Sequence, residues 1–537
     1  METKHTGINK KLVLTGLIIG MFFSALEQTI VGTAMPTIIG ELNGFTIFAW
    51  VTTAYLITST TVVPIVGKLS DLYGRRSLYL IGTILFIIAS GLCATAETME
   101  QLILYRGLQG IGGGMIMPLS QTIIGDIFTA EQRAKWQGVF GALFGLSSVI
   151  GPFLGGIIVD TISWHWIFLI NVPTGLLSAI LIFIGLKQEF IAPKSKAAID
   201  YLGIATLVPA LVLLLLGLTF AGDKFEWVSS TSLFIFGGSL LLTVAFGIVE
   251  SKAAEPILDL KLFKNRVFAV TNALGFLLGL GMFGAIMFVP MFMQGIFGVS
   301  PTQAGSTMTP MMIAMITASI IGGSLLLKFR FRTVLTSGMI LASVGFFLMS
   351  TMNLESNEWT AYFYMVVLGL GMGLVMPTLM IAVQNEFPKS QLGTVTSAST
   401  FFRSIGGTIG ITILNAVMNS NLQNNMNEAA AAATEPILAQ TLALLKEKTD
   451  SLFGILLEPS ILQLPEAVLT SVVTTIQTSW SNAFSTVFLT GLIFIGAGIL
   501  AALFVGDSKI KRDKEIEDEK QEDTEAPLTN VNPQSSH

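Results

Sequence analysis

The apolar run that opens at Leu12 holds one ionisable residue, Glu27, in the string LEQTIVGTAMPTI beginning at Leu26. A helix entering hydrocarbon near Leu12 and rising 1.5 Å per residue would carry Glu27 about 22 Å deep. An ionisable group is costly there and by default functional. It could bind a proton and a cationic ligand by turns, or serve as a structural carboxyl hydrogen-bonded to a nearby Thr or Gln. Arg106, in LYRGLQG, stands about one turn into another apolar run. Beside a cavity its guanidinium could compete with the proton for a nearby carboxyl. Its closeness to the helix end equally allows it to snorkel to the interface.

A second group lies in GKLSDLYGRR, from Gly67 to Arg76. Gly67 and Gly74 allow a tight connection, Asp71 can face a neighbouring helix N-terminus, and Arg75 can pair with a carboxylate at another helix end. Asp126 is the expected partner, with Glu386 read as its repeat counterpart; otherwise Arg75 and Arg76 simply follow the bias of basic residues toward one membrane side. In GVFGALFGLSSVIGPFLGGII, from Gly138, the Gly151-Pro152 step would kink a helix, and Gly155 and Gly156 would admit a close neighbour. Met287, Met291, Met311 and Met315 belong to a methionine-rich stretch that suits a pocket for varied apolar shapes, or else merely faces lipid.

These residues need an unusual scaffold. The 537 residues are 52% hydrophobic and 12% charged, with mean hydropathy +0.73, outside the range of soluble domains. A bilayer core of roughly 30 Å takes about 20 apolar residues per helix. Fourteen such runs are expected, at about 12–34, 47–66, 77–95, 102–124, 136–158, 165–186, 201–221, 229–249, 268–291, 303–326, 333–351, 360–384, 395–418 and 482–505. The first follows Lys10 and Lys11 but lacks a convincing small-residue cleavage site, so it reads as a retained anchor. Alternating loops collect the basic residues, leaving Lys224, Lys446 and Lys448 on the other side and Arg106 and Arg403 within helices. By the positive-inside rule both termini are expected in the cytoplasm.

The text also repeats. YRGLQGIGGGMIMP, Tyr105 to Pro118, matches YMVVLGLGMGLVMP, Tyr364 to Pro377, at an offset of 259. Six helices that recur in the same orientation, with two inserted between them, would give that spacing. The expected fold is therefore an all-α membrane protein of 14 transmembrane helices: an N-terminal six-helix bundle (1–190), two inserted helices (191–260), and a C-terminal bundle (261–508) with a long outward loop (419–481). A charged, disordered cytoplasmic tail (509–537) would follow. The loop holds an Ala-rich helical stretch around Glu428 to Lys448, which could lie on the membrane, cap an exit or be a tolerated insertion.

The GKLSDLYGRR string resembles the loop signature of the major facilitator superfamily. The Gly138 string resembles the antiporter motif of its drug-exporting branches, with Ser147 in place of one glycine. The Leu26 string is similar to that of the fourteen-helix drug:proton antiporter family, with Glu27 where the family has Asp and Gly32 where it has Asn. SWHWIFLINVPTG, from Ser163, is also family-like, with Trp164 and Trp166 expected at the outer interface. The resemblance implies that Asp71, Arg75 and Asp126 latch the two bundles when the cavity opens outward. It implies proton coupling at Arg106, and a family position without an assigned role at Arg403, which joins the candidate pocket. Export over uptake follows from the antiporter string. No second acidic residue is found in the tenth run or its neighbours, where related exporters often have one.

Other classes are poorly served. The three histidines, His5, His165 and His537, come with no HExxH or GxSxG string, so no catalytic residues are expected. No phosphate-binding loop suggests an ATP-driven pump. The lone Cys93 permits no internal disulfide or Cys-based zinc cluster, no metal site is expected, and no basic stripe suggests nucleic acid. The expected function is proton-coupled efflux of small hydrophobic or cationic compounds by alternating access, with the proton gradient as energy source and no cofactor. Its partners are the small-molecule substrate and the lipid bilayer, with no obligate protein partner. The alternatives are a dedicated exporter of one metabolite, lipid or peptide, and a transporter-like sensor without flux.

Overall fold

The computed structural model describes residues 8–42, 47, 49–187, 199–221, 225–299, 303–304, 307–433, 435–445, 452, 455–456, 462 and 464–509. Its helices are α1 (Lys10–Leu42), α2 (Ala49–Tyr73), α3 (Arg75–Cys93), α4 (Met99–Ile127), α5 (Ala130–Thr161), the short α6 (His165–Leu169) and α7 (Asn171–Gly185). They continue with α8 (Tyr201–Phe220), α9 (Ser230–Glu250), α10 (Arg266–Phe297), α11 (Thr309–Leu326), α12 (Phe331–Ser350) and α13 (Glu358–Glu386). The last three are α14 (Leu392–Ala432), α15 (Pro436–Leu445) and α16 (Glu466–Ala502).

Twelve of these stretches are long and apolar enough to cross a membrane, counting α6 with α7. The 29-residue α4 and the 32-residue α5 are not among the twelve. In α4 the reason is chemical: Arg106, Gln109, Gln121, Asp126 and much of a glycine-rich string are buried against neighbouring helices, so its polarity points inward.

The repeated text packs the same way twice. A Cβ on Gly110 would stand 2.5 Å from the carbonyl of Tyr55 in α2, and one on Gly369 would stand 2.2 Å from that of Met311 in α11. Gly114 meets Ser59 O at 2.3 Å, and Gly373 meets Met315 O at 2.3 Å. On the other side Gly112 abuts Phe86 N and Gly82 O, as Gly371 abuts Ala342 N and Gly338 O. Glycine is required because helix backbones touch at these points, which is how helices gain contact in lipid, where no hydrophobic drive separates Leu from solvent. The helix bounds set α4 onto α13 at an offset of 259. Asn385, and not Glu386, therefore stands opposite Asp126.

Both ends of the described chain lie at one face of the bundle, here the terminal face. Asn9 N donates to Gly185 O, and Phe331 N to Ser508 O; Asn385 Nδ2 donates to Lys509 O. Lys68, Arg75, Arg76, Arg133, Lys252, Arg266, Arg330, Arg332 and Lys389 all belong to helix ends or turns at that face.

Two expectations change. The apolar run ending near 418 is only part of α14, which continues to Ala432, and α16 starts at Glu466, well before 482. Thr470, Thr474 and Thr478 satisfy their hydroxyls on their own helix backbone, which lets polar residues prolong it. Of the Ala-rich stretch, Glu428 to Ala432 belongs to α14, Pro436–Leu445 forms α15, and Lys446 and Lys448 lie outside the described residues. The 510–537 part of the tail also lies outside them.

Candidate functional site

α1, α4 and α7 bring Glu27, Arg106 and Asn171 together. Glu27 and Arg106 are each 1% exposed, and Arg106 Nη1 donates to Glu27 Oε1 at 2.6 Å. Asn171 Nδ2, from the first turn of α7, donates to the other oxygen, Glu27 Oε2. The second acceptor of Arg106 Nη1 is Gln109 Oε1, at 2.6 Å, whose Nε2 donates to Ser90 Oγ at 2.7 Å. Arg106 Nε reaches the Val51 carbonyl at 3.2 Å, and its guanidinium lies 4.3 Å from the centroid of the Tyr55 ring.

Arg106 therefore does not snorkel. The reason is local: a carboxylate, an amide oxygen and a ring face on three sides satisfy the guanidinium more completely than an interface would. Both oxygens of Glu27 accept from donors, the arrangement of an ionised carboxylate. Asn171 and Gln109 were not singled out from sequence, although both lie inside the quoted strings SWHWIFLINVPTG and LYRGLQG. Their type alone does not distinguish them from helix-surface amides.

The terminal face holds the second cluster. Arg75 is fully buried; its Nε donates to Asp126 Oδ2 at 3.1 Å and its Nη2 to Asp71 Oδ1 at 2.6 Å. The same guanidinium reaches Ser70 O at 2.8 Å and Lys389 O, beyond α13, at 2.9 Å. Asp71 accepts from Gly393 N at 2.9 Å, Thr394 N at 2.7 Å and Thr394 Oγ1 at 2.8 Å. Lys389 Nζ donates to the Asp126 carbonyl at 3.3 Å, and Thr400 Oγ1 to Gln121 Oε1 at 3.4 Å. Gly67 is needed because α2 and α14 cross here: a Cβ on it would meet Gly393 O at 2.8 Å. Gly74 has φ 98°, a left-handed conformation that favours glycine and turns the chain from α2 into α3. Arg76 stands apart, over the Phe183 ring and donating to Phe183 O.

In α5 a Cβ on Gly151 would stand 2.0 Å from Thr29 Oγ1 of α1, two residues after Glu27, and Thr29 Oγ1 donates to Ser147 O at 3.0 Å. Gly155 is buried, whereas Gly156 faces open space; of Pro152 only its place in the unbroken helix is described. Gly32 also meets nothing within 4 Å.

The methionines do not form one pocket. Met287 is 44% exposed on the outside of α10, while Met311 and Met315 are packed in the core between α11 and α13. Met291 is half-buried beside that core. The flexible thioethers thus fill helix contacts, and Met287 lies on the outer surface. Arg403 lies half-buried on α14 opposite Gly275 of α10. Trp164 is buried rather than interfacial, its Nε1 donating to Glu41 Oε2 at 2.7 Å; Trp166 is exposed. The described residues contain no group of three or more metal-ligating side chains.

A polytopic helical bundle with a buried ion pair between its helices and a charged cluster at one face fits the architecture of a secondary transporter. The Major Facilitator Superfamily pattern matches residues 17–411, and the chain belongs to that family. It is similar to the "Multidrug transporter protein MdtP" of Bacillus subtilis (strain 168), 48% identical over 525 residues that cover 96% of each chain. It is also similar to "Multidrug resistance protein 3" of the same organism, at 38% identity over 513 residues, 94% of this chain and 97% of the relative. The crystal structure of the human organic anion transporter MFSD10 (TETRAN) matches with a TM-score of 0.56 at 15% identity, over 90% of this chain and 99% of that one. The chain is thus a multi-pass membrane protein of a transporter family.

Proposed function

We propose that this chain exports small hydrophobic or cationic compounds in exchange for protons, by alternating access. The observation that carries the reading is the Glu27–Arg106 pair, closed on both carboxylate oxygens and sealed between α1, α4 and α7. A proton arriving on Glu27 removes an acceptor from Arg106 or Asn171. The guanidinium then keeps Gln109 Oε1 and the Val51 carbonyl, so the proton changes the contacts between α1 and α4 without leaving the cation unsatisfied. A cationic substrate can take the same place as the proton, which makes the two mutually exclusive and couples their movements. The similarity to two multidrug proteins supports efflux of drugs.

The finer topology belongs to the same proposal. The fourteen-helix count is supported by α4 and α5, which pack among the twelve apolar spans and exceed a bilayer's thickness in length. Paired glycine contacts in α4 and α13 support two parallel bundles, with α8 and α9 as the insert. The basic residues at the terminal face favour cytoplasmic termini; with that orientation, the Asp71–Arg75–Asp126 cluster closes the cytoplasmic side and the state described faces outward.

Everted membrane vesicles loaded by an imposed proton gradient test the reading. Accumulation of a fluorescent cationic dye inside these vesicles, whose cytoplasmic face is outward, should stop when the gradient is dissipated, and Glu27→Gln should abolish it. Dye movement unaffected by both would remove the antiport mechanism while leaving the transporter fold.

A further inference from the structure

The α8–α9 hairpin carries a carboxyl pair that takes no part in the central site. Asp200 caps α8, its Oδ1 accepting from Gly203 N at 2.7 Å. Glu250, the last residue of α9, is 3% exposed, and its Oε1 accepts from Ile257 N at 3.2 Å. Each acid has one oxygen left over, Asp200 Oδ2 and Glu250 Oε2, buried and without a hydrogen-bond partner.

The two groups lean over the same glycine. A Cβ built on Gly203 would be 2.4 Å from Asp200 Oδ2 and 3.1 Å from Glu250 Oε1. The absence of a side chain at 203 is therefore what leaves room for both carboxyls. A buried carboxylate and a half-buried one on the same glycine repel each other, and each orphaned oxygen has lost its water without replacement. A hydrogen held by either carboxyl lifts the repulsion, because a protonated carboxyl becomes a donor and its neighbour remains an acceptor. The other charges acting on Glu250 come from Lys68 of α2, and that ammonium is already held 2.8 Å from Glu255.

We propose that Asp200 and Glu250 together bind a single proton, forming a proton site at the terminal-face end of the α8–α9 hairpin, separate from Glu27. The site has a mechanical neighbour. Leu207, Leu211, Leu215 and Phe246 of the hairpin pack in one cluster with Ile57 and Val63 of α2 and Val395 of α14. Those are the two helices joined by Asp71 and Thr394, and the Lys68–Glu255 pair ties the turn after α9 to α2 beside them. Loss of the shared proton leaves two like charges at the hairpin's base and loosens its seat against α2. The inference does not depend on Glu27 or on the substrate.

Infrared difference spectroscopy on the purified full-length protein, at a pH where exposed carboxyls are ionised, tests it. The wild type should show a protonated carboxylic acid band that disappears in Asp200→Asn and equally in Glu250→Gln, with no further loss in the double variant. Glu27→Gln should leave that band in place. On raising pH, the wild type should lose thermal stability across the same range in which the band fades, and both single variants should lack that step. A spectrum with no band sensitive to either residue would overturn the proposal. So would a sodium-dependent rise in thermal stability, absent with choline and absent in both variants, since it would assign the pair to a metal cation. Because the wild-type titration alone can give the negative result, poor folding of a variant does not protect the idea.

Discussion

The carboxylate of Asp71, at the end of α2, caps the first turn of α14 by accepting both the backbone N–H and the hydroxyl of Thr394. An acid from one half of the chain thus satisfies the free N–H groups of a helix in the other half, where the helix dipole also favours negative charge. Arg75 holds the same carboxylate from the opposite side at 2.6 Å. The contacts form a relay, from Asp126 through Arg75 and Asp71 to Thr394, in which one guanidinium is shared by two carboxylates.

Asp71→Asn should open this face. The amide keeps the size of the side chain, but one of its two acceptors becomes a donor aimed at N–H groups and at a guanidinium. Removing one partner of a buried pair is worth about 3–5 kcal/mol. Spin labels at the terminal-face ends of α2 and α14 should show a longer distance in the variant. An unchanged distance distribution would mean that the relay does not hold the two helices together.

Gly393→Ala should produce the same opening by a different route. The added Cβ would fall 2.6 Å from both Gly67 O and Asp71 Oδ1, so helix backbones must separate. Overpacking of this kind typically costs about 1–3 kcal/mol. Since both changes act on one contact, the double variant Asp71→Asn with Gly393→Ala should be less destabilised than the two effects added together. Simple additivity in thermal unfolding would place the glycine contact outside the relay.

How far the sequence carried the reading depended on what kind of signal a residue leaves. Glu27, Asp71, Arg75 and Asp126 stood out because charge within apolar text is rare, and the structure joins Arg75 to Asp126, the one partner expected for it, and to Asp71 as well. The repeat was legible because glycines at fixed spacing mark backbone contacts. Asn171, Gln109, Gly393 and Thr394 left no such mark, being ordinary residues whose role comes from which helix faces them. Met287 misled for the same reason: methionine content does not say which side of a helix points outward. The true extents of α14 and α16 were hidden because Ser, Thr and Asn lower hydropathy yet can satisfy themselves along a helix.

The repeat makes its own demand. Gly112→Ala would bring a Cβ within 2.5 Å of Phe86 N, and Gly371→Ala would bring one within 2.3 Å of Ala342 N. The two substitutions lie in different halves but strike equivalent helix crossings. Both should lower the thermal midpoint of the purified protein by comparable amounts, and the effects should add, because the sites share no partners. If one position tolerates alanine freely, the two crossings are not equivalent in energy, whatever their likeness in text.

The central pair should respond to single and double substitution with opposite economy. Arg106→Gln leaves Glu27 buried without its cation and with neutral amides such as Asn171 as its donors, and the lone charge is worth about 3–5 kcal/mol of destabilisation. Glu27→Gln leaves the guanidinium with Gln109 and the Val51 carbonyl, so its stability loss should be smaller even though transport is lost. Combining them removes both charges, and the double variant should unfold at a higher temperature than Arg106→Gln alone. That order, with Arg106→Gln lowest, follows from desolvation: a buried pair is marginal against two neutral groups, but either charge left alone has nothing to balance it. A double variant less stable than both single ones would show that Glu27 and Arg106 are each held chiefly by other groups, and the pair would lose its place as the coupling element.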